Sequence, residues 1–234
     1  MKELFACSSF AGVFLTVCIY EIAAAISKKT PGFKLNPLPI AIVLCMIVLK
    51  VTGIPYEMYR DSAQPVSWLL TPATTVLAIP LYRQLKILMK NKRAVLGGVF
   101  MGVLASLISV LAFSVLFGLN RTQFVTLLPK SVTTPIGMAV AGELGGDETI
   151  AVAAIVITGI LGNTTAPAIC RFLRIKSPVA RGVLIGTSSH ALGTAKAIEM
   201  GEIEGAMSSI ALVISGLLTV AAAPLFVWIF ERIA

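Results

Sequence analysis

Long apolar runs separated by short polar stretches dominate the chain and set its fold class. Five of these runs are rich in Leu, Ile, Val, Ala and Phe, and several of them approach the roughly 20 residues that a membrane-spanning helix needs. We expect spanning helices at Phe5 to Ile26, Leu38 to Val51, Val95 to Phe117, Thr149 to Leu173 and Ile203 to Phe230. The pattern predicts an all-α integral membrane protein in which residues 1–234 form a single polytopic domain.

Three weaker segments lie between these runs, and each is apolar enough to enter a membrane but is broken by Pro, Gly or polar residues. They are Val66 to Leu81, Thr122 to Glu143 and Val183 to Glu199. Hydrocarbon cannot satisfy the backbone N–H and C=O groups that such breaks release, so the broken backbone must be enclosed by protein or line a water-filled cavity. The pattern leaves open whether each segment crosses fully or returns as a re-entrant hairpin.

Charge placement favours a hairpin for the second of these segments. Two loops are rich in Lys and Arg, and the preference of these residues for the cytoplasmic side places both loops inside. The first carries Arg83, Lys86, Lys90, Lys92 and Arg93, and the second carries Arg171, Arg174, Lys176 and Arg181. One span leaves the first loop and the next arrives at the second, so Thr122 to Glu143 must begin and end outside. Val66 to Leu81 stays ambiguous, because a cytoplasmic loop after the first span would require it to cross completely.

A short internal echo suggests that one unit is used twice. Residues 69–75 resemble residues 127–134, and each stretch precedes a long span that contains glycines. If each unit crosses the membrane an odd number of times, the two copies have opposite orientation, as in the inverted repeats of many secondary transporters. Chance resemblance between hydroxyl-containing apolar runs is the alternative.

Composition excludes several classes of function. The chain is 57% hydrophobic and only 13% charged, with a mean hydropathy of +0.92, so no room remains for a sizeable soluble domain. The net charge is +8, and the Lys and Arg residues that produce it are clustered between the apolar runs. In these positions they are expected to set the membrane topology, and they do not indicate a nucleic-acid partner. The four cysteines, Cys7, Cys18, Cys45 and Cys170, sit inside apolar runs without metal-ligand spacing, so we expect free thiols and no metal site. No nucleotide-binding or nucleophile motif is present, so we expect no cofactor and no enzymatic activity.

A polar cluster in the second weak segment is the first candidate site. Lys130 follows Pro129 where the hairpin should turn, and an unpaired ammonium in the membrane costs at least a few kcal/mol. Lys130 could attract the carboxylate of a solute while Ser131, Thr133 and Thr134 donate hydrogen bonds to it. Alternatively, Lys130 snorkels to the interface and the hydroxyls satisfy broken backbone. We favour a functional role, because an interface lysine would not require these hydroxyls beside it.

A second polar cluster, in the third weak segment, carries the only histidine of the chain. His190 could bind a solute or relay a proton, or it could bridge two helices through a hydrogen bond. Ser188, Ser189 and Thr194 are candidate solute contacts beside it. Lys196 and Glu199, three residues apart, are expected to pair on one helical face. A secondary pathway role is assigned to Thr74, Thr75 and Asn163.

Three blocks of sequence resemble one known family of bacterial membrane proteins. They are residues 72–74 with 80–82, residues 128–139, and residues 181–195, the last continuing at residues 204–209. On these blocks the chain resembles the CidB/LrgB family over nearly its whole length. Two departures are minor: Gly137 stands where alanine is expected from the family pattern, and Ser188 stands where alanine is also common.

The resemblance implies a function that involves autolysis or transport. Bacterial members of this family are described as modulators of murein hydrolase activity that act with a holin-like CidA/LrgA partner. Other relatives are carboxylate transporters, including a plastid glycolate/glycerate carrier in which a CidA/LrgA-like part is fused ahead of this domain. That fusion has no counterpart here, so a holin-like partner would be a separate polypeptide.

Together these patterns lead to two hypotheses. The first is a facilitated or ion-coupled carrier for small monocarboxylates such as pyruvate, glycolate or lactate, acting as an oligomer in the bacterial inner (cytoplasmic) membrane, with effects on lysis following from metabolite balance. The second is a non-transporting, antiholin-like regulator of murein hydrolase activity that acts with the holin-like partner. Under the first, Lys130 supplies the counter-charge, the neighbouring hydroxyls supply hydrogen bonds, and His190 could supply a proton.

Overall fold

The described part of the chain consists of helices and contains no strand. A computed structural model describes residues 8, 10–29, 37–69, 72, 76, 78–83 and 85–233. In chain order the helices are α1 Ala11–Lys29, α2 Pro37–Thr52, α3 Tyr56–Ser62, α4 Gln64–Trp68, α5 Ala78–Arg83, α6 Leu85–Leu116, α7 Arg121–Leu127, α8 Thr134–Glu143, α9 Glu148–Phe172, α10 Pro178–Met200 and α11 Glu202–Ile233. The predicted all-α membrane architecture is confirmed.

Within the part of the chain that the structure describes, four helices are long and apolar enough to cross a membrane alone, and they coincide with four of the five predicted spans. These are α1, α6, α9 and α11. The remaining predicted span corresponds to α2, whose 16 residues extend only about 24 Å, less than the thickness of a bilayer core. A bend of 119° separates α2 from α3, and only the two together form a fifth candidate span. The apolar run alone did not reveal this break.

The chain divides into two compact units, residues 1–76 and residues 77–234. In the first unit α1 contacts α2, α3 and α4, and Thr16 Oγ1 lies 2.8 Å from Tyr59 Oη. Gly12 contacts the backbone of Ser62 and Ala63 so closely that no side chain would fit between them. Thr74 and Thr75 lie outside the described residues, and the single polytopic domain over residues 1–234 stays a prediction.

Residues 121–143 of the second unit form hairpin 1, in agreement with the prediction for Thr122 to Glu143. Helix α7 begins at a capping box, in which the side chains and backbone N–H groups of Asn120 and Gln123 bond reciprocally. Prolines at 129 and 135 lack the N–H that a continuous helix would need, so the chain turns before α8 begins. At the base, Arg121 Nη1 donates a hydrogen bond of 3.0 Å to the Leu144 carbonyl. The segment therefore enters and returns at one end.

Residues 178–200 form hairpin 2, because α10 folds back on itself at His190. The backbone of His190 has φ 42° and ψ −141°, which divides α10 into α10a (residues 178–189) and α10b (residues 191–200). A Cβ atom added at Gly193 would lie only 3.0 Å from Ile185 Cγ2. In a straight helix these two positions, eight residues apart, would be separated by about 12 Å, so the chain must fold back between them. The third weak segment is thus a hairpin, the alternative that the sequence had left open.

The two hairpins lie at opposite ends of α11. At its C-terminal end, Glu231 Oε1 accepts a hydrogen bond of 2.6 Å from Arg121 Nε at the base of hairpin 1. At its N-terminal end, Glu204 Oε1 lies 3.5 Å from Arg181 Nη1 at the base of hairpin 2. Residues 204 and 231 are about 40 Å apart along a straight helix, more than the thickness of the hydrocarbon core. The hairpins therefore insert from opposite sides of the membrane.

Candidate functional site

A cavity of about 730 Å³ separates α6 from α10a, and the turn of hairpin 1 reaches into it. Glycine, alanine and branched aliphatic residues form most of its wall. Its polar lining comes from α6 (Asn91, Ser106 and Ser109), from hairpin 1 (Lys130 and Ser131), from the end of α10a (Thr187 and Ser188), and from Ser177, which precedes α10a. This volume lies within the range of small-molecule sites, and a largely apolar wall with a few polar groups is their usual chemistry.

Lys130 places an ammonium group on the cavity wall, beside the interior of the spanning helix α6. Its Nζ donates a hydrogen bond of 3.3 Å to Ser131 Oγ, and Ser131 Oγ lies 3.0 Å from Ser106 Oγ. Ser106 lies about 15 Å of helix from the Leu116 end of the candidate span Met89–Leu116 and about 26 Å from its Met89 end, so it is well inside the span. This depth argues against a lysine that snorkels to the interface. Among the described residues no carboxylate forms an ion pair with Lys130.

Hydroxyl groups extend from this ammonium along two walls of the cavity. Lys130, Ser131 and Ser106 form a chain of hydrogen bonds, because the Ser131 hydroxyl accepts from Lys130 and can donate to Ser106. On the opposite wall, the Thr187 hydroxyl donates to the Val183 carbonyl at 2.7 Å, and the Ser188 hydroxyl donates to the Leu184 carbonyl at 2.8 Å. Both could turn toward a solute, so the cavity offers one cation and several neutral donors to an anion.

The other predicted site residues lie away from the cavity lining. Thr133 precedes the first residue of α8 and Thr134 begins that helix, so both belong to the start of the returning arm of hairpin 1. The Thr194 hydroxyl donates to the His190 carbonyl at 2.9 Å, so it accepts from the Ser208 hydroxyl of α11, which lies 2.9 Å away. Asn163 of α9 donates to the Leu192 carbonyl at 2.7 Å. Thr194 and Asn163 thus join hairpin 2 to α11 and α9.

His190 and Ser189 form the tip of hairpin 2, buried against α9. His190 Nε2 lies 2.9 Å from the Ile155 carbonyl, so the tautomer with its proton on Nε2 donates to that oxygen. Gly159 and Gly162 admit this contact, because a side chain at either position would collide with His190 or Ser189. This geometry favours the helix-bridging alternative for His190 over the proton relay.

We expect His190→Ala to lower the free energy of unfolding by about 1–3 kcal/mol, since it removes a buried hydrogen bond and leaves a void. His190→Gln should lose less, because its amide N–H can still reach the Ile155 carbonyl. Thermal unfolding of the purified protein in detergent measures both. Equal stability of His190→Ala and the wild type would contradict the bridging role.

Sequence reasoning missed several polar residues of the lining, including Asn91, Ser106, Ser109 and Thr187. A signal existed on α6, where Gly98, Gly102, Ala105, Ser106 and Ser109 recur at helical spacing and give one face small side chains. Such a face lets α10a approach closely, and Gly102 indeed lies against the Thr187 side chain. The pattern marked a contact surface but did not reveal a cavity beside it.

Two smaller predictions about side chains are confirmed within the described residues. Lys196 Nζ lies 2.7 Å from Glu199 Oε2, as expected for an ion pair on one helical face. Cys18, Cys45 and Cys170 are free thiols. Cys7 lies outside the described residues.

Comparison with known proteins adds an independent observation. The chain matches the sequence model of the LrgB-like family over residues 16–229, which include both hairpins and the cavity. It is also 36% identical over 226 residues to the uncharacterized protein YxaC of Bacillus subtilis (strain 168), covering 97% of this chain and 98% of that protein. No solved structure matches the chain.

Proposed function

This chain belongs to the LrgB-like family, and from that premise we propose that it is a carrier for small monocarboxylates such as pyruvate, glycolate or lactate. The family comprises membrane transporters and regulators, and membership connects the chain with the control of murein hydrolases and autolysis. Transport of a central metabolite in the bacterial inner membrane would affect lysis through the metabolic state of the cell.

The ammonium of Lys130 is the observation that carries the proposal. An ammonium beside the interior of a spanning helix is costly unless an opposite charge compensates it, and no described carboxylate of the protein does so. A bound monocarboxylate would supply the missing charge. Neighbouring hydroxyls would bind its second oxygen, while the aliphatic wall would accommodate its short carbon chain.

Charge at one end of the cavity supports entry of an anion. Asn91 and Ser177 line that end, and basic side chains flank both of them in the sequence. These are Lys90, Lys92 and Arg93 beside Asn91, and Arg174 and Lys176 beside Ser177. A rim of positive charge raises the local concentration of anions and steers them toward the mouth. Under the positive-inside tendency this mouth is cytoplasmic.

Reconstitution of the purified chain tests the proposal. Liposomes that contain the protein should take up labelled pyruvate with saturation, and unlabelled glycolate or lactate should compete. Glycerol, which has three carbons but no carboxylate, should not compete. Uptake no faster than in protein-free liposomes would overturn carriage of this substrate class.

Regulation together with a separate holin-like membrane protein is a second candidate, supported by the family's connection with autolysis. Co-reconstitution with such a partner separates the two functions. A carrier should transport alone, with the partner changing at most its rate. A regulator should show no uptake in either case, and Lys130→Ala should leave autolysis in cells unchanged.

A further inference from the structure

The second unit contains the same succession of elements twice. Hairpin 1 is followed by the long helix α9, and hairpin 2 is followed by the long helix α11. Each long helix contains one interior proline, Pro167 in α9 and Pro224 in α11. Because the hairpins insert from opposite ends of α11, the two successions have opposite orientation in the membrane.

A sequence relation accompanies this structural one. A shift of 57 residues, without any gap, places Pro167 on Pro224 and the start of hairpin 1 on the start of hairpin 2. Residues 154–167 and 211–224 are then identical at seven of 14 positions. The identical pairs are Ala154/Ala211, Val156/Val213, Ile157/Ile214, Gly159/Gly216, Leu161/Leu218, Ala166/Ala223 and Pro167/Pro224.

Contacts between the copies obey the same relation. Gly159 of α9 lies against the tip of hairpin 2, where a side chain would begin 2.6 Å from His190 Nε2. Its equivalent, Gly216 of α11, lies against hairpin 1, where a side chain would begin 3.1 Å from Ile136 Cδ1. Each hairpin therefore packs on the equivalent glycine of the other copy.

The same shift pairs the polar residues of the cavity. It places Lys130 on Thr187 and Ser131 on Ser188, and all four residues line the cavity. One position thus carries an ammonium in the first copy and a hydroxyl in the second. Two ammonium groups in one small cavity would repel each other, which gives a physical reason for this difference.

We propose that residues 121–172 and 178–233 are inverted repeats, and that the transported carboxylate is held between Lys130 and Ser131 of one copy and Thr187 and Ser188 of the other. The assignment rests on the proposed carrier function and adds Thr187 to the site. A site shared by two oppositely oriented copies can open to either side of the membrane as the copies move relative to each other. The four residues then contact the substrate in both states.

Uptake kinetics of matched variants test this assignment. Ser131→Ala, Thr187→Val and Ser188→Ala should each raise the apparent KM for pyruvate by roughly three- to tenfold, as expected for one lost hydrogen bond. Thr158→Val and Ser215→Ala are controls, because the shift also pairs these two residues but neither lines the cavity. Their hydroxyls donate within their own helices, to Ala154 and Leu212, so KM should stay within about twofold.

Cysteine labelling supplies a readout that needs no substrate. After replacement of the four native cysteines by serine, Ser131→Cys and Ser188→Cys should each react with a membrane-impermeant thiol reagent from either face of oriented vesicles. Ser215→Cys, at a buried position off the cavity, should react from neither face.

The outcomes separate this inference from the carrier proposal. A wild type that transports pyruvate, with KM unaltered by Thr187→Val and Ser188→Ala, would overturn the shared site and leave the carrier function standing. Labelling of both cysteines from one face only would overturn the inverted arrangement. Labelling from both faces without uptake of any monocarboxylate would support the inverted arrangement but overturn both the carrier proposal and the shared carboxylate site.

Discussion

Replacement of Lys130 by alanine is expected to reduce the initial rate of pyruvate uptake into proteoliposomes by about tenfold or more. The variant removes the ammonium that would neutralise the substrate carboxylate, and a hydrogen bond to a charged group contributes about 1.5–3 kcal/mol. The loss should appear as a raised KM, because without the ammonium the negative charge of the substrate carboxylate would enter the cavity uncompensated. Initial rates over a range of labelled pyruvate concentrations measure it.

Two further lysine variants isolate the role of the charge at this position. Lys130→Arg keeps a cation and should retain part of the activity. Lys196→Ala removes a lysine whose Nζ pairs with Glu199, and it should transport like the wild type, since exposed ion pairs contribute little. A KM of Lys130→Ala for pyruvate equal to that of the wild type would contradict the proposed site.

Replacement of Gly186 by leucine is expected to prevent assembly of the second unit. Gly186 of α10a faces α11, where an added Cβ would lie 2.8 Å from Ser208 Cα and 2.9 Å from Ala211 Cβ. These are backbone and near-backbone atoms that no rotamer change can move away. Separation of the two helices would cost several kcal/mol, comparable with the whole stability of a typical domain. Size-exclusion profile and thermal unfolding in detergent measure the loss.

Gly97→Leu provides the matched control for that experiment. Gly97 lies on α6 with no atom within 4 Å of an added Cβ, so the same substitution meets open space there. It should preserve the monodisperse profile and the unfolding temperature to within a few degrees. Equal behaviour of the two variants would show that the contact between α10a and α11 is not as close as described.

The spanning helices and hairpin 1 could be predicted because strong physical constraints act on short stretches of sequence. A span needs a long apolar run. Because one span leaves the first basic loop and another returns to the second on the same side, the segment between these two spans must begin and end on the opposite side of the membrane. Hairpin 2 was harder to predict, because its fold at His190 uses neither proline nor glycine. A positive φ at a histidine leaves little trace in a single sequence.

The candidate site was predicted only in part. Lys130, Ser131 and Ser188 line the cavity, and their charge or polar surroundings had marked them. Ser106 and Thr187 were not assigned to the site, because a hydroxyl in an apolar helix usually bonds to its own backbone and gives no sign of the surface it faces. Conversely, Thr133 and Thr134 were predicted as site residues but lie at the start of α8. Threonines just before a proline are equally typical of the first residues of a helix.

The internal repeat illustrates the same limit. Sequence comparison pointed to the broken segments at residues 69–75 and 127–134, most of the first of which lies outside the described residues, so that pairing stays a prediction. The structure instead relates residues 121–172 to residues 178–233, and most of the identical residues of this pair lie in the long helices α9 and α11.

Direct observation of the substrate beside Lys130 would test the central claim most closely. Solid-state NMR can detect dipolar coupling between the carboxylate carbon of ¹³C-labelled pyruvate and ¹⁵N-labelled lysine Nζ in reconstituted protein. We predict coupling in the wild type and in Lys196→Ala, and its loss in Lys130→Ala. Coupling that persists in Lys130→Ala, or its absence from a wild type that transports pyruvate, would contradict the account.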